Sequence, residues 1–171
     1  MDTRDISTMM ATLFGELVDG VSSDEAYMLN RGDAGLLRSL DTLTAHAASA
    51  ASHGGASIAA HVDHLRYGLS LMNRWSAGEN PFDTADWSVS WRTTVVSEPE
   101  WAQLRADLTR EADQWLETLR VARRVSDTEL NGIVGSIAHL AYHLGAIRQI
   151  DRTARGPAEP PRVRPRPDPT V

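Results

Sequence analysis

The sequence predicts an all-α protein: a four-helix bundle with a short extra N-terminal helix, a long loop between the second and third long helices, and a disordered C-terminal tail. Three observations carry that expectation. Apolar residues recur at alternating steps of three and four over long stretches. β-Branched runs are almost missing, Trp91–Val96 being a short one. Six of the eight prolines lie between Pro157 and Pro169, which leaves the rest of the chain nearly free of helix breakers.

In chain order, the segment around Ile6–Val18 is apolar and helix-compatible. Asp33 then caps a run in which Leu36, Leu37, Leu40 and Leu43 face one way. The connection AHAASAASHGG reads as loop, with His46 and His53 solvated. In SIAAHVDHLRYGLSLMNRW, Ile58, Val62, Leu65, Leu69 and Met72 make a bundle-type stripe, with Ser57 as N-cap and Gly78 as stop. The 20 residues from Gly78 to Ser97 are too many for a tight turn. They carry Phe82, Trp87 and Trp91 and read as a packed loop over one end of the bundle.

The next helix, Glu98 to Val125, offers Trp101, Leu104, Leu108, Trp115, Leu116 and Leu119, with Pro99 where a first turn tolerates it. The last, ELNGIVGSIAHLAYHLGAIRQI, repeats the stripe with Ile133, Ile137, Leu140, Leu144 and Ile147. Ser126 or Asp127 caps it and Gly156-Pro157 ends it. The run GPAEPPRVRPRPDP suits neither helix interior nor central strand, so the expected organisation is one helical domain over 1–155 and a tail over 156–171.

Composition narrows the chemistry. The chain has 171 residues, 42% apolar and 23% charged, ordinary values for a globular protein. There is no cysteine, hence no disulfide, thiolate ligand or cysteine nucleophile. All 17 basic residues are Arg, which excludes lysine Schiff-base chemistry. From Arg152 onward five Arg face Glu159 and Asp168, so residues 1–151 hold a net charge of −9 within the chain's −6. Such an acidic body repels a phosphate backbone, and no nucleic-acid partner is expected. With no stretch long enough for a membrane span and no basic-then-apolar N-terminal signal, the expected location is cytoplasmic, with no membrane partner.

Six histidines remain to be placed. His139 and His143 form H-x-x-x-H, which stacks both rings on one helix face a turn apart. His61 and His64 lie three apart on a second helix, at the flank of its apolar stripe. Two such helices side by side direct these flanks into a shared cleft. Three imidazoles on one divalent ion leave a position open for water or substrate, the pattern of a catalytic site. By spacing, either His61 or His64 can supply the third ring.

The segments S-I-x-x-x-V-x-H-L and H-L-A-Y-H-L-G-A-I-R-Q resemble the DinB/YfiT-like family of four-helix-bundle metalloproteins, over roughly Ile6 to Asp151 including DWSVSW. The resemblance implies that His64, His139 and His143 hold a divalent metal ion, zinc or nickel. His64 is preferred because it directly precedes Leu65, as the family's ligand precedes a leucine. It further implies a thiol-dependent S-transferase, in which the metal activates a low-molecular-weight thiol such as mycothiol or bacillithiol. The alternatives are a hydrolase using metal-bound hydroxide and a non-catalytic metal-binding stress-response protein. Arg148 and Arg66 are the candidates for an anionic thiol's carboxylate, against a reading as solvated helix-face arginines. Trp87 and Trp91 are candidates for pocket walls. The expected partner is a small-molecule substrate, with a homodimer through exposed helix faces as an option.

Overall fold

The computed structural model describes residues 3–21, 25–51 and 54–157, without the side chains of residues 3–5. The expected tail beyond Pro157, and His53, lie outside the described residues. Six helices follow in order: α1 (Thr3–Asp19), α2 (Gly35–Asp41), α3 (Ala45–Ser49), α4 (Ile58–Ser76), α5 (Glu98–Arg120) and α6 (Asp127–Ile150). Three short 3-10 turns, Pro81–Thr84, Val89–Trp91 and Arg152–Ala154, complete the secondary structure of the described residues. The Trp91–Val96 run forms no strand; an isolated bridge joins Ala51 and Ser57.

Four long helices pack together as expected, but the first two segments exchange roles. The N-terminal helix is long, 17 residues. The Leu36–Leu43 run gives only the seven residues of α2, and a separate five-residue helix, α3, follows it. The break falls at Thr42–Thr44, where the Thr44 hydroxyl accepts from Ala47 N–H and starts a new helix inside the segment read as loop. His46 is therefore helical, though exposed as expected. Asp33 accepts from Gly35 N–H but does not sit at the N-cap of α2, which is Ala34. The caps at Ser57 and Ser126 form, and Ser97 with Glu100 closes a capping box ahead of Pro99.

The long helices form a closed ring in the order α1, α5, α4, α6, so that α4 and α6 are neighbours and α1 stands diagonally across from α4. One continuous core fills the ring: Phe14 and Leu17 of α1, Ile58, Val62 and Leu65 of α4, Leu108 and Trp115 of α5, Ile137, Leu140 and Leu144 of α6. Its two largest side chains keep their indole N–H groups satisfied, Trp101 by the Leu43 carbonyl and Trp115 by the Ser136 hydroxyl. At the α1–α2 corner the backbones touch. Gly20 and Gly35 have φ of 89° and 73°, and a Cβ on either would collide with the other strand of the corner. No helix among the described residues is long and apolar enough to cross a membrane.

Candidate metal centre

The helical periods that bury Val62 and Leu65 on α4 set His61 and His64 at the edge facing α6. Those that bury Ile137, Leu140 and Leu144 on α6 turn His139 and His143 toward α4. Across that seam, His64 Nε2 lies 3.0 Å from His139 Nε2, which lies 3.0 Å from His143 Nε2. Among the described residues these three form a group whose ligand atoms all fall within 4.8 Å of one another. His64 and His143 are 7% and 3% exposed, so the cluster is withdrawn from solvent although no carboxylate joins it.

The outer ring nitrogens decide which lone pairs face inward. Ser90 donates its hydroxyl proton to the Trp87 carbonyl, so its oxygen accepts from His64 Nδ1–H at 2.9 Å. That bond fixes the His64 tautomer and leaves Nε2 bare. His143 Nδ1 faces His61 Nδ1 at 2.8 Å; with His143 donating, its Nε2 is bare as well. His61 thus stands behind His143, not beside it at the centre. Of the two α4 histidines, residue 64 meets the α6 pair through Nε2, and residue 61 meets one member of that pair from its far side.

Burial is the first cause of pKa depression at all four rings. It pushes His64 down to about 4 and His143 to about 3, with the neighbouring imidazoles adding to the effect. His61 and His139 are lowered by burial alone. All four are neutral at pH 7, the form that binds metal without first losing a proton.

The donor set fits a divalent ion. Nitrogens bound at roughly 2.0–2.1 Å from one ion stand roughly 2.9–3.4 Å apart; the two separations from His139 Nε2, 3.0 Å each, match that, and the His64–His143 pair lies within 4.8 Å. Bare lone pairs at that distance repel unless a cation or a proton lies between them. Three neutral imidazoles suit zinc, nickel and other first-row ions alike. Three protein ligands leave further coordination positions free, which separates this arrangement from a closed structural site.

The loop between α4 and α5 covers the cluster. Trp91 stacks on His64 with centroids 4.2 Å apart and planes 25° from parallel, and Trp87 stands 5.4 Å from the same ring. Trp91 also meets His61 edge-on, and Tyr142 meets His143 edge-on from the solvent side. Both tryptophans therefore wall the cluster. The two arginines are engaged elsewhere. Arg66 pairs with Asp63, whose other oxygen accepts from Thr93, so neither group points at the histidines. Arg148 donates to Asp33 and to the Ala154 carbonyl, in a cleft that shares no residue with the cluster.

Ser90 and His61 are the residues the sequence did not single out as supports. A serine in an irregular loop has no periodicity to betray it. His61 was visible only as a rival ligand. Replacing Ser90 with Ala removes the acceptor that holds the His64 tautomer. The expected result is a roughly 10–100-fold weaker metal affinity with an unchanged helical circular dichroism spectrum, measured by competition with a chromogenic chelator. An unaltered affinity would show that the Ser90 bond is incidental.

Comparison with known protein families, with curated proteins and with solved structures finds no match for this chain. What stands is an all-helical protein with a buried three-histidine cluster able to hold a metal ion.

Proposed function

We propose that this chain is a metal-dependent enzyme of the DinB/YfiT-like kind, a thiol-dependent S-transferase acting on a small molecule. The observation that carries the reading is the convergence of three neutral Nε2 atoms, one with its tautomer fixed, on a point with no fourth protein ligand among the described residues. His64, His139 and His143 are the residues that would hold zinc or nickel. A divalent ion bound there supplies Lewis acidity, which lowers the pKa of a thiol or a water.

The chain's own residues supply position and surroundings. Ser90 and His61 orient the His64 and His143 rings, so that little reorganisation accompanies binding. Trp91 and Trp87 cover the His64 face and exclude bulk water, which strengthens charge interactions at the cluster. A second reading, a hydrolase, is favoured by one observation: Arg66 and Arg148, the candidates for anchoring an anionic thiol, are both ion-paired. Water as the nucleophile needs no such anchor.

The test is turnover. Zinc- and nickel-loaded protein is incubated with mycothiol or bacillithiol and an aryl halide, and in parallel with p-nitrophenyl esters and no thiol. Metal-dependent thiol consumption that disappears in His139→Ala supports the transferase, and ester cleavage with the same dependence supports the hydrolase. Absence of both with every metal, and of any thiol-induced change in the cobalt-loaded spectrum, overturns the enzyme reading.

A further inference from the structure

Alongside the histidines, α4 and α6 part to leave an open groove of about 280 Å³ that ends on His139. Its floor is Leu65, Leu69 and Leu140, and Phe82 and Trp87 of the covering loop roof it. Apart from His139 and Ser136, every residue lining it is apolar or glycine. The Ser136 hydroxyl is already committed, donating to the Ile133 carbonyl and accepting from Trp115 Nε1–H. His139 is thus the polar group left to meet a guest, and its Nε2 belongs to the metal cluster.

The groove exists because side chains are missing where the two helices face it. A Cβ on Gly68 would lie 3.6 Å from both His139 Cε1 and Trp87 Cζ3, so this glycine sits where groove and cluster meet. One turn before His139, Gly135 has nothing within 4 Å of where its Cβ would be. Both are helical and gain no conformational freedom they use, so in a purely structural helix alanine would serve better by roughly 1 kcal/mol. At Gly135 the space is open to a guest, and at Gly68 any side chain beyond a methyl would press on His139 and Trp87.

We infer that this groove is the acceptor site for the apolar part of the substrate, an uncharged aryl or compact alkyl group whose reactive end reaches the His64–His139–His143 cluster. This rests on the metal-enzyme reading above for the reactive end, but not for the groove itself. A charge placed among these side chains would lose its hydration without finding a partner, so anionic and zwitterionic groups are rejected at this position. A dry apolar cavity of about 150 Å³ accepts one benzene ring. The larger volume here therefore admits a two-ring aromatic. Trp87 offers its ring to such a guest and also stands 5.4 Å from His64, so one indole borders both the groove and the cluster.

The experiment compares the wild type, Gly135→Ala and Gly135→Leu in two states. Zinc-loaded protein is titrated with 2-naphthalenethiol and with 2-mercaptoethanol, and metal-free protein with 2-naphthol followed by saturation-transfer NMR. The expected result is that Gly135→Leu keeps wild-type zinc content, loses at least tenfold in affinity for 2-naphthalenethiol and is unchanged toward 2-mercaptoethanol. Gly135→Ala is expected to match the wild type, and 2-naphthol to bind metal-free wild type but not Gly135→Leu. Equal weakening toward both thiols, or toward neither, overturns the inference. If zinc fails to bind, 2-naphthol binding that Gly135→Leu abolishes keeps the groove while the metal reading falls. No 2-naphthol binding to the wild type overturns the groove whatever the metal does.

Discussion

His143→Ala leaves the protein folded and without bound metal. The variant removes the most enclosed of the three Nε2 donors, 3% exposed and one turn from His139. Zinc sites with four protein ligands bind with roughly 10–16 kcal/mol, so one ligand is worth roughly 2.5–4 kcal/mol if the total is shared evenly. That corresponds to a loss of about 10²–10³ in affinity. Two effects beyond the lost bond act in the same direction. His61 loses the ring it hydrogen-bonds, and Trp91 loses a neighbour 5.8 Å from its own centroid, so the covering turn is less well held. His46→Ala, an exposed histidine on α3, is the control and keeps full metal content. Elemental analysis of the purified proteins and a chelator competition read the outcome. If His143→Ala carries wild-type metal, the three-nitrogen assignment is wrong.

The second large effect falls on stability. Arg148 and Asp33 form an ion pair whose side chains are 15% and 2% exposed, and Asp33 also accepts from Gly35 N–H. Arg148→Leu strands the Asp33 carboxylate among the groups that close the α1–α2 corner. Breaking a buried pair from one side costs about 3–5 kcal/mol. At the roughly 2–4 °C per kcal/mol usual for a chain of this length, the melting midpoint drops by about 6–20 °C. Asp33→Asn in the same background recovers part of the loss, because the stranded charge is gone. Metal affinity stays at the wild-type value throughout. A variant with unchanged stability and weakened thiol binding would return Arg148 to the active centre.

Arg148 also shows how spacing can mislead. It follows His143 by five residues, which reads as one turn further along the same face. At about 100° per residue, five steps turn the helix by about 140° from that face, and the guanidinium meets Asp33 instead of the cluster. The histidines were legible for the converse reason. Steps of three and four keep His61 with His64, and His139 with His143, beside stripes that must face the core. That α4 and α6 are neighbours was a condition of the shared cleft and not a reading of the sequence; the ring order of the helices supplies it.

Local patterning told less where tertiary contacts decide. The start of α1 lies three residues before Ile6, in polar sequence with no apolar period to mark it. The leucine run after Asp33 looks like one helix because Leu43 keeps its phase, yet Leu43 lies between α2 and α3, where its carbonyl takes the Trp101 indole N–H. Ser90 has meaning only through His64 and Trp87, both of which reach it by folding. The aromatics marked the Gly78–Ser97 loop as packed, but it runs along the length of α4, from Phe82 at Trp75 to Thr94 at Ser57, and not over one end of the bundle as expected; its hydroxyl-to-imidazole bond had no sequence signal.

The ring order of the helices has a consequence for how the centre comes into being. His64 and His139 are 75 residues apart in the chain, and all of α5 is made between them. During synthesis the first donor waits until the last helix leaves the ribosome, so an ion held by this cluster would be captured late and would lock distant segments together. If the cluster binds its ion, mass action ties the lifetime of the assembled bundle to the free ion concentration. At a hundredfold excess over the dissociation constant the added stabilisation is about 2.7 kcal/mol, so starvation for metal would register first as faster turnover of the protein itself.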